Sequence, residues 1–223
     1  MSAAAYSHES SYSWEVHGTK EHVALVNVNE AENFRQMYYQ PGNASLVITG
    51  DFQVEPTFEK VKYYFSDIKK YDMAIKRNIF SDNHLLQSGY NKFSDDVPAP
   101  GVFVGYHCKG FVEDESFMAD ILANIIGVGR SSRLWKKLVE EEQIASQTGA
   151  YIDKREDSSL LILYALGNSP EISCDLLKEK IDTVAKEFIQ SPIPDEELTK
   201  SHNQLSSQLA FEIQSITGLA DAV

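Results

Sequence analysis

Apolar residues recur along this chain in two rhythms, and the switches between them mark out its elements. The first dozen residues, rich in serine and tyrosine, have no period and read as a loose end or one tied down by neighbours. Ala31, Phe34 and Tyr38 then repeat at helical spacing behind Asn29 and Glu32, which are spaced for a capping box, and Pro41-Gly42 ends that helix. SLVITG at 45–50 is short and almost unbroken, the mark of a buried strand. Phe58, Val61, Tyr64, Phe65 and Ile68 return to the helical period. Residues 69–84 carry charge without period and read as a linker.

Beyond it, LLQSGYNKF (85–93) and GVFVGYHC (101–108) read as strands separated by the proline-containing DDVPAP. Asp114 is placed to cap a helix carrying Phe117, Ile121, Leu122 and Ile125 that stops at Gly127. SSRLWKKLVEEE (131–142) opens another helix behind a serine cap. ASQTGAYID (145–153) and SSLLILYALG (158–167) form two further strands joined by the charged turn KRED. A helix over 170–189 turns Ile172, Leu176, Leu177, Ile181, Val184 and Phe188 inward. The last begins at Pro194, with acidic DEEL in the first turn, where it suits the helix dipole. Strands follow strands before helices return, so the expected class is α+β: a two-layer sandwich with a mixed, largely antiparallel sheet and helices packed on one face.

Composition adds bounds rather than chemistry. The chain has 223 residues, 43% of them hydrophobic, enough for one large domain or pieces of two. A formal net charge of -13 repels phosphate backbones and anionic headgroups, so no nucleic acid or membrane surface is expected as partner. Cys108 and Cys174 are too few for a disulfide framework or a cysteine-rich zinc knuckle. No apolar run approaches a membrane span and no signal peptide is visible, so the expectation is a soluble chain of unknown compartment.

One short stretch invites a metal reading. His17-Gly18-Thr19-Lys20-Glu21-His22 resembles a zinc-peptidase signature, in which two histidines four apart on a helix differ by roughly 40° and reach one ion. Here they are five apart, which separates them by roughly 140° in a helix. With glycine and threonine between them, a turn is expected, and neither a metal site nor a catalytic residue. His107 and Cys108 are adjacent on a predicted strand and face opposite ways. The loop GVGRSSRL lacks the ending of a phosphate-binding loop.

Three stretches together resemble one family. FRQMYYQPGNASLVITGDF (34–52), GVGRSSRLWKKLVEEEQIASQTGA (127–150) and PDEELTKSHNQL (194–205) are similar, in residues and in separation, to the pitrilysin/insulinase-type zinc metallopeptidases, which include mitochondrial processing peptidase. Tyr12, Gly18, Glu21 and Val23 fit the same pattern. The resemblance covers the chain from about residue 11 and implies a metallohydrolase-like half of a clam-shell peptidase. By that comparison residues 1–70 are the C-terminal part of a catalytic-type domain, 71–85 a linker, and 86–223 an inactive peptidase-like domain truncated at its C-terminus.

The resemblance further implies that the chain starts after the family's His-x-x-Glu-His and distant glutamate, so it holds no cofactor while its parent's catalytic half holds zinc. The implied partners are that catalytic half, in the same chain or a partner subunit, and a peptide substrate. The family's paired arginine and tyrosine, seven residues apart, map to Val139 and Ser146, which can do neither job. Gly127, Gly129, Arg130, Ser131 and Ser132 are the candidate substrate-facing loop, since glycine lets a chain approach closely. A helix C-cap followed by a serine N-cap explains them equally well. The expected function is the non-catalytic portion of a zinc metallopeptidase that helps enclose a peptide. The alternative is a scaffold or assembly subunit of the same fold.

Overall fold

The computed structural model describes residues 1–68, 88–111 and 116–222. The predicted linker, Asp114 and the first residues of the 85–93 run lie outside them. In chain order the helices and strands are α1 (Ser2–Ala5), α2 (Lys20–Leu25), α3 (Val28–Tyr38), α4 (Val54–Phe65), β1 (Gly101–Lys109) and α5 (Ser116–Gly127). After a π-helical segment at Trp135–Glu141 come β2 (Ala145–Asp153), β3 (Ser158–Gly167), α6 (Cys174–Gln190), α7 (Asp195–Glu212) and α8 (Ile216–Asp221). They fall into two compact units: Met1–Trp14 with Ser81–Ser206, and Glu15–Phe80 with Ser207–Val223.

The first unit is built on β3. Its near-continuous apolar run is what a strand covered on both faces requires, and it lies at the centre of an antiparallel sheet of order β1-β3-β2. Leu163 and Ala165 face a core with Ala123 and Ile126 of α5, Leu134 and Leu138 of the next segment, and Leu177, Ile181 and Val184 of α6. Fully burying each leucine contributes about 1.5–3 kcal/mol. The helices thus cover one face, and the fold is the α+β arrangement expected, with every strand pair antiparallel among the described residues.

Leu160 and Ile162 point to the opposite face, where the N-terminal segment covers them with Tyr6. Tyr6 is 1% exposed, its hydroxyl donates to the Ser158 carbonyl at 2.7 Å, and its ring meets the His107 ring edge-on. Arg155, kept charged by hydrogen bonds to Asp153, lies over the rings of Tyr6 and Tyr12. The unpatterned start of the chain is therefore tied down.

The second unit is different in kind. None of α2, α3 and α4 has a buried residue. Helices form where predicted, and a capping box is present, but on Asn27 and Glu30 rather than Asn29 and Glu32. Gly18 takes a φ of +64° and Thr19 caps α2, so HGTKEH is a turn feeding a helix, with His17 outside it and His22 inside. SLVITG is not a strand: among the described residues, 44–49 form no ladder, the Thr49 hydroxyl instead donating to the Ile216 carbonyl at 2.7 Å, and Leu46, Val47 and Ile48 are exposed. Its hydrophobicity specified a strand, but a ladder needs a neighbour. The same holds for residues 88–93, which have no regular structure. In α5 the predicted Phe117 is 72% exposed, because Ala119, Ala123 and Ile126 form the inward stripe instead.

Candidate functional site

The 127–132 loop begins where α5 meets the sheet. Gly127 is its last residue, and a Cβ there would stand 2.3 Å from the Ala150 nitrogen, so only glycine admits this approach of helix to β2. Gly129 turns the chain with a φ of +77° and has nothing near its Cβ position. Arg130 is exposed over the Trp135 ring. Ser132, 1% exposed, accepts a hydrogen bond from the Trp135 amide, while Ser131 receives the Lys200 ammonium. Ser132 caps the following helical segment, as the serine-cap reading expects.

The loop is fastened to α7. Arg133 donates to Glu197 Oε2 through Nη2 at 2.7 Å and Nε at 3.2 Å, and its guanidinium lies 4.8 Å from the Phe188 ring centre. Ser201 of α7, 1% exposed, donates to the Ile121 carbonyl of α5. Two of the three stretches that suggested a family are therefore in direct contact.

Downstream, the Glu142 amide bonds the Lys137 carbonyl, five residues back, which is the π register. Leu138 is buried and Val139 packs against the core, while Ser146 sits in a β-bulge, its hydroxyl donating to the Gly167 carbonyl at 3.0 Å. Neither position presents a cation or a phenol.

Two groups of β1 have shifted acidity. Burial pushes the Cys108 thiol up against a lowering hydrogen bond with the Leu161 backbone, and burial with the Asp182 charge raises the Tyr106 phenol. A raised thiol is a poor nucleophile. Among the described residues no three His, Cys, Asp or Glu side chains are placed to hold a metal ion, so these residues do not fit zinc. What sequence reading missed is a row of side chains on the sheet face away from the helices: Phe103, Tyr164 and Tyr151, with Gln147 beside them. Strict alternation along the three strands carried that signal.

Residues 26–205 match the family described as Peptidase M16 inactive domain. The chain belongs to that family. It is 25% identical over 213 residues to the zinc protease PqqE of Helicobacter pylori, covering 94% of this chain and 47% of that protein. It is 21% identical to the uncharacterized zinc protease YmxG of Bacillus subtilis, covering 96% and 51%. A protease from Helicobacter pylori superposes with a TM-score of 0.83 at 26% identity, over 94% of this chain and 51% of that one. An M16-like peptidase from Alicyclobacillus acidocaldarius shares the fold at a TM-score of 0.73 and 16% identity, over 99% and 52%. This M16 inactive-domain chain spans about half the length of the curated relatives it matches. No helix among its described residues is long and apolar enough to cross a membrane.

Proposed function

We propose that this chain is the non-catalytic portion of a pitrilysin-type zinc metallopeptidase and helps enclose and bind the peptide substrate beside a zinc-holding catalytic half. The observation that carries this reading is the uncovered apolar surface of the second unit: Phe34, Phe58, Phe65 and the 46–48 run lie exposed in a chain of this family. Patches of that kind mark where another polypeptide packs. On this reading residues 1–70 complete a catalytic-type domain, 71–85 link, and 86–223 form the inactive domain. The 127–132 loop would border the chamber with Gly129 and Arg130 outward, while Val139 and Ser146 contribute no charge to the chemistry.

The test is to express the chain with the polypeptide encoded upstream or in the neighbouring gene that carries His-x-x-Glu-His, then measure bound zinc and cleavage of a quenched-fluorescent peptide. Cleavage by the pair and none by either part alone is expected. Stoichiometric zinc in the isolated chain, lost on His17→Ala, or cleavage by that chain unaided would sink the proposal.

A second reading has one observation in its favour. A chain of Complex III2 from Candida albicans shares the fold over 99% of this chain at a TM-score of 0.75 and 16% identity. The same architecture therefore also stands in that complex, and on this second reading the role of the present chain would be scaffolding. A complex with the neighbouring polypeptide that forms stably but never cleaves favours that reading.

A further inference from the structure

Met1–Trp14 lies against the sheet face that the helices leave open, and it belongs to the first unit although the residues that follow it do not. Within this segment only Tyr6, Ser10 and Ser13 are buried. The core between sheet and helices is a separate cluster to which the segment contributes no residue. Helix α1 has four residues, no side-chain cap and no buried residue, which is too short to hold its own shape. The segment therefore depends on what it touches, and the core behind the sheet does not depend on it.

Tyr6 is the side chain that keys it in place. Its ring covers Leu160 and Ile162, and its hydroxyl donates to the Ser158 carbonyl at 2.7 Å. The neighbouring Ala5 carbonyl can only accept, so His107 Nε2 donates to it at 2.8 Å, while Nδ1 lies 3.2 Å from the Ser158 hydroxyl. Held at both nitrogens, the imidazole meets the Tyr6 ring edge-on, with centroids 5.3 Å apart. Arg155, fixed by Asp153, stands 5.8 Å from the Tyr6 ring centre and 5.4 Å from that of Tyr12. The Tyr12 hydroxyl donates to the Asp157 carboxylate and accepts from the Asp157 amide, both at 3.2 Å. An apolar floor, an acceptor for the phenol and a cation near the ring together suit a tyrosine, and the chain's own terminal segment supplies it.

We propose that residues 1–14 are a strap, keyed by Tyr6, that opens from the sheet and closes again while the helix-covered core stays folded. Closed, the strap hides Leu160 and Ile162. Open, it joins them to a row that is already uncovered: Tyr151 stands opposite Ile162 in the ladder, and Phe103 opposite Tyr164. Phe103 and Tyr151 are exposed with the strap in place, so its position sets how much apolar surface this face presents.

The probe is chymotrypsin, applied to the full 223-residue chain in pulses short enough for single cuts, with the fragments read by mass spectrometry. The protease must take the Tyr6 ring into its own apolar pocket, so cleavage after Tyr6 requires the strap to lift, whereas Trp14, 62% exposed, is the reference site. Cleavage after Tyr6 should proceed roughly tenfold or more slowly than after Trp14, change little in urea below the unfolding transition, and occur while β3 amides remain protected from hydrogen exchange. Tyr6→Phe keeps a ring the protease accepts and loses the bond to Ser158, so it should speed that cut about five- to tenfold without altering β3 exchange. His107→Ala, which frees the Ala5 carbonyl, should speed it about threefold or more. Cleavage after Tyr6 that begins only at urea concentrations where β3 exchanges would make the segment an inseparable part of the fold and overturn the strap. Equal cleavage after Tyr6 and Trp14, untouched by either substitution, would mean that the segment never closes and would overturn it as well.

Discussion

Arg133 connects residues 64 apart in sequence, and no periodic pattern could have announced its partner. Its guanidinium and the Glu197 carboxylate are 20% and 30% exposed, dry enough for the contact to outweigh an ordinary surface ion pair. Both donors reach the same oxygen, so the geometry falls short of a parallel fork. Arg133→Ala and Glu197→Ala should each lower stability by about 1–2 kcal/mol in urea unfolding, with a coupling of about 1 kcal/mol in the double-mutant cycle. Arg133→Lys should recover only part, since it loses both the second donor and the planar contact with Phe188. A coupling near zero would make the pair an incidental surface contact. The sequence displayed arginine and the acidic helix start separately, each with a local meaning. Only the fold brings them together.

Among elements, β2 and β3 have the predicted bounds and β1 runs one residue longer, because alternation and flanking turns are local, while the 85–93 run expected as a strand has no regular structure over 88–93. The 45–50 run had an equally clear pattern and fails as a strand, since pairing is a property of two segments. The displaced capping box shows degeneracy of another kind, because Asn27-Glu30 and Asn29-Glu32 have the same spacing and only backbone geometry chooses. The π register at 135–141 has no counterpart in hydrophobic period at all. The approach of α5 to β2 gives this scale its prediction. Gly127→Ala gains up to about 1 kcal/mol of helix propensity. Its Cβ would stand 2.3 Å from the Ala150 nitrogen and 2.6 Å from the Gly149 carbonyl carbon, backbone atoms that cannot swing aside. Overpacking wins, for a net loss of about 1–3 kcal/mol measured by thermal unfolding.

At the scale of the whole molecule the two units should differ sharply in hydrogen exchange. Local opening is resisted by buried apolar contacts, and these concentrate in β2, β3, α5, α6 and the segment holding Leu134 and Leu138. The second unit has none in α2, α3 or α4, and an 11-residue helix such as α3 is marginal on propensity alone, capping box included. Amides of β3 should therefore exchange slowest, and those of α3 and α4 fastest among the helices. Limited trypsin should cut at Arg35, Lys60 and Lys62 before Lys154, which is held by Asp120 at 2.8 Å. On the proposed reading, adding a His-x-x-Glu-His polypeptide should slow exchange in α3 and α4 at least tenfold while leaving β3 unchanged, because it would cover the apolar faces open there. If α3 and α4 in the isolated chain are already as protected as β3, residues 15–68 need no covering half, and the exposed aromatic side chains would require a different explanation.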